Sequence, residues 1–516
     1  MPTRKTKSVA PPPPQTKSVP PAPPQTKSVV IGSGFGGLAT AIRLQAAGMS
    51  TTVLEKQDLP GGRAYVFHDQ GFTFDAGPTV ITAPDCLEEL FGLTGRRMSD
   101  YIEMKSILPF YRLLWDDGYV FDYSNEDEKL FSQIRKKNPA DEQGYRDFLK
   151  YSQEVFNEGY SKLAAVPFLS LWDMVKVSPQ LIRLGAYRSV YSMVAKYIKD
   201  EQLRQAFSFH SLLVGGNPFK ASSIYTLIHF LEKNWGVYFP MGGTGALVQA
   251  LVKYFTDIGG QIHYRSEVDE ILTEQNRVTG VRTKAGKTYN CHAVVSNGDV
   301  LHTYKDLLRH QEFGQQMAHK LAKKSYSMSL FLIYFGVNKI YDKIAHHNVI
   351  FGPRYRALLA DIFDKGVLPD DFSLYLHAPS LTDPSLAPPG CQAFYVLSPV
   401  GHLGKLDFDW QNRSDEYADK ILAYLESKYL PRLRQHIVTK RYFTPLDFQR
   451  RLNSHVGAAF SLEPLLTQSA YFRLHNRDAK IQGLYFAGAG THPGAGVPGV
   501  VNSGKATAAL VLEDFL

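Results

Sequence analysis

Three glycines and one acid are the residues of this chain best placed to do chemistry. Gly32, Gly34 and Gly37 stand in G-x-G-x-x-G register within VVIGSGFGGLATAIRLQAAG (29–48), with Phe35 and Gly36 inside the turn. The glycines serve three physical ends. The first permits a tight turn, the second lets backbone come against a pyrophosphate, and the third lets a helix lie close to the preceding strand. The helix start then offers free N–H groups and a partial positive charge to the phosphate. Alone, the motif is weak. Glu55, 23 residues after Gly32 at the end of a second β-branched run TTVLEKQ (51–57), strengthens it, because a carboxylate there grips ribose hydroxyls and repels a 2′-phosphate. The other reading of Glu55 is an ordinary strand-end carboxylate.

The next residues bear on which dinucleotide is held. GGRAYVF (61–67) brings Gly61, Gly62 and Arg63 into a second turn, followed by the extended run FTFDAGPTVI (72–81). This resembles the amine-oxidase-like flavoprotein superfamily, in which a glycine-arginine turn completes an FAD site; NAD enzymes do not need it. Arg63 is then a fixed cation near the diphosphate or the flavin edge, or else a surface arginine in a turn. GLYFAGAGTHPGAGVPGVVNSGKATAALVLEDFL (483–516) reads as a strand, a Gly/Pro loop and a helix from near Val500, whose start suits the charge of a reduced flavin. Gly488, Gly490, Gly496 and Val497 lie in that loop, where backbone makes the ribitol contacts, and Val268 is expected beside the adenine.

GSGFGGLATAIRLQAAG, GGRAYVFHDQGFTFDAGPTVIT, AFSFHSLLVGGNPF, SSIYTLIH, FPMGGTGALVQ and GAGTHPGAGVPGV together resemble the bacterial and fungal-type phytoene desaturases of carotenoid biosynthesis, from Val29 to Leu516. The resemblance implies FAD-dependent dehydrogenation of 15-cis-phytoene to all-trans-lycopene, with a quinone or oxygen as electron acceptor. Another carotenoid flavoenzyme (a C30 or later-intermediate desaturase, or an isomerase) stays open. So do an amine oxidase and a lipid carrier of the same fold. A C40 hydrocarbon offers no charge to grip, so its site must be a long apolar tunnel. The reaction removes a hydride to the flavin and a proton from the neighbouring carbon, so placement matters more than side-chain chemistry. Asp173 matches an acid proposed as catalytic in the family. Lys176 stands three residues on, where the family can have Arg; a structural ion pair is the competing reading. His492 in the THPG loop is expected near the flavin or bonded to backbone, and His210 and Asn217 at the tunnel border.

Positioning these groups takes an α/β chain: a Rossmann-like FAD-binding domain in three pieces (29–110, 236–305, 471–516), a helical membrane-associated region at 111–235 and an α+β substrate domain at 306–470. Residues 277–297 are expected to form a β-hairpin. The stretch 161–199 holds 23 apolar residues, six basic ones and a single acid, Asp173. Such a helical region lies in the headgroup layer as a monotopic contact, or packs on its own core with a solvated basic face. The Pro-rich arm 1–28, in which TKSV recurs, lacks the apolar stretch of a secretory signal. It carries five basic residues, leaving 52 against 49 acidic ones elsewhere, so the net charge of +8 does not mark a nucleic-acid binder. Hydrophobic residues make up 44%, with 31 Phe and 29 Tyr. Cys86, Cys291 and Cys391 are too scattered for a disulfide framework or a zinc site, which points to a reducing, cytoplasmic side and no metal.

Overall fold

The computed structural model describes residues 26–516. The first 25 residues of the expected arm lie outside them, and the first strand opens at Lys27. Five parallel strands form the nucleotide sheet, in the order Leu484–Phe486, Ala293–Ser296, Lys27–Ile31, Ser50–Leu54 and Gln261–His263. The runs of Leu484–Phe486, Ala293–Ser296 and the middle of Lys27–Ile31 are buried on both faces, as central parallel strands require. Val30, Val53 and Val295 pack under the helices Phe35–Ala46, Thr244–Asp257 and Val497–Phe515, while Val29, Leu54 and Val294 face the antiparallel strands Val268–Glu274 and Arg277–Thr283. Gly504 lets the terminal helix lie on the first one: a Cβ there would stand 3.0 Å from both Ala39 Cβ and Gly36 O. The terminal helix begins at Val497, three residues before the expected start, because Gly496 at φ +95° turns the chain and Pro498 fits the first turn.

The run 277–297 is not one hairpin. Arg277–Thr283 pairs antiparallel with Val268–Glu274 and with Thr288–Asn290, but Ala293–Ser296 leaves to join the nucleotide sheet beside Lys27–Ile31. Its four residues are all buried, so it belongs in the centre of a covered sheet and not on an exposed ribbon.

A seven-stranded sheet makes the second half of the molecule, in the order Ile437–Phe443, Ser329–Val337, Gln392–Val400, Leu374–His377, His347–Phe351, Tyr111–Trp115 and Val120–Tyr123. Alternation along the wholly buried strand Ser329–Val337 sorts its side chains. Phe331, Ile333 and Phe335 pack towards the helix Ser414–Lys428, while Leu330, Leu332 and Tyr334 face inward to a core shared with Phe67 and Phe74. Across that inner face lie the helices of residues 141–235. Within 161–199 the chain is helical at Leu171–Arg183 and Val190–Tyr197. Among the described residues no helix is long and apolar enough to cross a membrane.

Candidate active site

The glycine turn sits on a side chain. Asn297, directly after the strand Ala293–Ser296, lies beneath it: a Cβ at Gly34 would stand 2.9 Å from Asn297 Nδ2, one at Gly36 2.7 Å and one at Gly488 2.6 Å from Asn297 Oδ1. At Gly37 a Cβ would come within 2.1 Å of the Gly32 carbonyl oxygen. Gly32, Gly61, Gly62 and Gly488 all have positive φ, so the lining turns present backbone where side chains would otherwise stand. Glu55 is buried at the strand end. Its Oε2 accepts from the Ser33 backbone N–H at 2.8 Å and the Ser33 hydroxyl at 2.5 Å, and its Oε1 accepts from Gln57 N–H at 2.8 Å. Three of about four acceptor positions are used, which leaves one for a ribose hydroxyl.

These residues line one cavity of about 290 Å³, together with Phe35, Gly61, Gly62, Arg63, Val268, Gly490, Gly496 and Val497. All the expected cofactor-binding residues except Gly37 border it, and Gly37 stands behind as the helix–strand spacer. Arg63 donates from Nε to Ala459 O at 2.6 Å, and burial weakens its hold on its proton while Asp299 opposes that loss. The set is what an FAD needs: a phosphate cradle of backbone with the N-terminus of Phe35–Ala46 behind it, a ribose acid, and a second helix N-terminus at Val497.

A second cavity, of about 350 Å³, runs from there into the molecule. Gly77, Pro78, Leu213, Leu330, Leu397, Phe460, Ala495, Gly496 and Val497 border both cavities, so the two meet. Beyond the junction the wall is mainly Leu, Ile, Val, Met, Phe and Tyr from the inner face of the large sheet and from residues 159–231, with a few hydroxyls and His492 among them. Glu232 is the one carboxylate in it. Fully buried, it accepts from Tyr111 Oη–H at 2.6 Å and faces His210 Nε2 at 3.1 Å. A neutral phenol and a buried imidazole thus stand against its two oxygens.

Asp173 and Lys176 are not in this wall. Asp173 caps its own helix: Ser170 N–H donates to its carboxylate at 2.9 Å and Asp173 N–H donates to Ser170 Oγ at 3.3 Å. Ser170's backbone and hydroxyl hold that carboxyl below its usual range, Lys176 adding a smaller share. The helix instead turns Met174 and Leu181 into the cavity and leaves Leu171, Val175 and Ile182 exposed, with Trp172 at 72%. His492 borders the cavity and bonds through Nε2 to Leu163 O at 3.0 Å; burial drops its imidazole to about 4. Asn217 is buried in a turn, accepting from Phe219 N–H, and His210 stands behind the lining residues Glu232 and Phe209.

Sequence reasoning missed Asn297, Ser33, Glu232 and Phe460. Ser33 had a signal, lying inside the glycine motif. Asn297 and Glu232 had none, since each becomes functional only by where its strand or helix is packed.

Known proteins share this architecture. Residues 35–512 match the family of flavin containing amine oxidoreductases. Two relatives, phytoene desaturases (lycopene-forming) of Pseudescherichia vulneris and Pantoea ananas, are 60% and 58% identical over 94% of this chain and 99% of theirs. Cyclohexylamine oxidase from Brevibacterium oxydans has the same fold at 15% identity, TM-score 0.59, covering 95% of this chain and 99% of its own. The chain is therefore a flavin-containing amine oxidoreductase in fold and, by its sequence relatives, a member of the phytoene desaturase family.

Proposed function

We propose that this chain is an FAD-dependent, lycopene-forming phytoene desaturase that meets its substrate at a membrane surface. One observation carries the reading: a dinucleotide cleft opens, at nine shared lining residues, into a cavity walled almost wholly by hydrocarbon and aromatic side chains. Two relatives at 58–60% identity are named for that reaction. An amine substrate would want a carboxylate at the cofactor junction for its ammonium, and the one carboxylate in the second cavity's wall, Glu232, does not border that junction.

The bound FAD supplies a ring that accepts a hydride. The protein's part is to hold it and to place the hydrocarbon. The glycine turn and the start of Phe35–Ala46 take the pyrophosphate, Glu55 the ribose, Arg63 a negative edge, and the start of Val497–Phe515 the charge of the reduced ring. With FAD bound, Leu330, Leu397 and Phe460 at the junction would select which part of the polyene reaches the cofactor and would keep water out.

Helix Leu171–Arg183 is apolar on two sides. One side closes the cavity, and the other exposes Trp172 and 65% of Ile182 with Lys176 and Arg183 nearby, the composition of a helix lying in a headgroup layer. A lipid-dissolved polyene then passes under this helix into the cavity. A membrane quinone reaching the same face is the proposed electron acceptor. Asp173 keeps its second role as a proposal: if it handles a proton, Asp173→Asn slows turnover and Ser170→Ala, which removes only the cap, does not.

The test is purified chain with FAD, phytoene in liposomes and a quinone, followed by chromatography. Lycopene accompanied by loss of the flavin absorbance before quinone is added supports the reading. Unchanged phytoene, or rearranged phytoene without new double bonds, overturns it.

A further inference from the structure

Each desaturation leaves a proton in a cavity whose one lining carboxylate, Glu232, lies away from the cofactor junction, with Tyr111 on one oxygen and His210 3.1 Å from the other. We infer, on the functional reading above, that Tyr395, Thr79, Tyr375 and His347, with His377 and His346 behind them, form a proton exit from the hydrocarbon cavity to the surface.

The hydroxyl part of this path is continuous. Tyr395 Oη lies 3.1 Å from the Gly77 carbonyl at the cavity junction and 2.7 Å from Thr79 Oγ1; Thr79 Oγ1 is 3.0 Å from Tyr375 Oη, which is 2.6 Å from His347 Nδ1. Thr79, Tyr375 and Tyr395 all line the cavity. His347 and His377 are register partners on adjacent strands, their rings stacked at 5.2 Å. His377 Nε2 is 3.0 Å from His346 Nε2, and His346 Nδ1 is 2.6 Å from the hydroxyl of Thr382, which is half-exposed. The buried His347 Nε2 has no partner, and one nitrogen of each imidazole lies within 4.8 Å of the others, a span that a small ring rotation or one bridging water covers.

One C–H bond of the substrate breaks with its electron pair leaving as hydride to the flavin. The neighbouring C–H bond breaks with its electrons staying behind as the new C=C bond, and its hydrogen leaves as a proton. A carbon beside a hydride-depleted centre is strongly acidic, so a neutral hydroxyl oxygen is base enough. The proton adds to Tyr395 Oη while that phenol's own hydrogen passes to Thr79, Thr79's to Tyr375 and Tyr375's to His347 Nδ1. His347 releases its Nε2 hydrogen towards His377 and His346, and one proton leaves at Thr382. Burial depresses all three imidazoles, His346 to about 3, so the cluster passes protons on and does not store them.

Three convergent histidines also have the makings of a transition-metal site. Three neutral imidazoles are a sufficient ligand set for zinc, so the lack of a carboxylate or thiolate in the group among the described residues does not separate the two readings, and a metal assay does.

Tyr375→Phe, Thr79→Val and His347→Gln are compared with wild type in the holoenzyme. The relay requires kcat for phytoene to fall about tenfold or more with KM within about twofold. It also requires a solvent deuterium effect on anaerobic flavin bleaching that is larger in the variants, with retained FAD and melting temperature unchanged. Tyr375→Phe, which removes one oxygen, decides the matter if Thr79→Val fails to fold. Variants with wild-type kcat and solvent effect overturn the relay while wild-type lycopene formation leaves the functional reading standing; an inactive wild type overturns both. Equimolar zinc or copper in washed wild-type protein, absent from His347→Gln, overturns the relay in favour of a metal centre.

Discussion

Glu55 and Asn297 both meet the glycine turn, and only one of them announces itself in the sequence. Glu55 is legible because ribose recognition fixes its distance from Gly32. Asn297 is not, since nothing local says that the residue after Ala293–Ser296 will stand under Gly34, Gly36 and Gly488. Glu55→Ala should lower FAD retention on gel filtration, read as the flavin-to-protein absorbance ratio, by about tenfold, the cost of roughly one charge-assisted hydrogen bond. Gly37→Ala should yield colourless protein, because its methyl meets the Gly32 carbonyl at 2.1 Å and backbone must move. Glu463 gives a pH signature. Burial raises its carboxyl to about 7, and Oε1 has no partner. The folded state therefore holds that proton more tightly than the unfolded state. The stability it contributes is complete below the ordinary glutamate range and lost as pH rises towards 7, by at most about 3 kcal/mol. Glu463→Gln should melt like wild type at pH 4.5 and above it at pH 8, measured by thermal unfolding across that range.

Helix Leu171–Arg183 shows where pattern reading ends. Its basic and apolar composition is visible in the sequence, but which apolar residues line the cavity and which look outward depends on the register that Ser170 and Asp173 set by capping. The expectation for Asp173 rests on family resemblance, and the chain's own geometry gives it the cap. Trp172→Ser with Ile182→Ser should reduce cosedimentation with anionic vesicles and raise the apparent KM for phytoene, with FAD binding unchanged. The run 277–297 misleads for a related reason: alternation reports a strand, not the sheet it joins. Gly504 acts between elements as well. Gly504→Leu should separate the first and last helices and cost about 3 kcal/mol of stability, since the new side chain meets Ala39 and the backbone of Gly36 and Thr40 at once. Loss of the folded, flavin-binding fraction on expression checks it.

At the scale of the molecule, the nucleotide half is readable in the sequence and the substrate half is not. Phosphate, ribose and helix dipole impose residue types at fixed spacings. A hydrocarbon imposes only apolarity, which many side chains satisfy in any order, so the tunnel exists in the fold and not in a motif. Val349→Trp, in the hydrocarbon cavity and outside the cofactor cleft, should therefore leave FAD binding intact and abolish phytoene turnover, measured as flavin retention against product formation.

The order of the nucleotide sheet also sets a timetable. Lys27–Ile31 leaves the ribosome ahead of the other strands in that sheet. Its neighbour once removed, Leu484–Phe486, and the helix Val497–Phe515 that borders the cofactor cleft come after them. A nascent polypeptide has no finished cradle, so pigment capture comes after translation, and a chain interrupted before Leu484 should leave the ribosome unable to turn yellow.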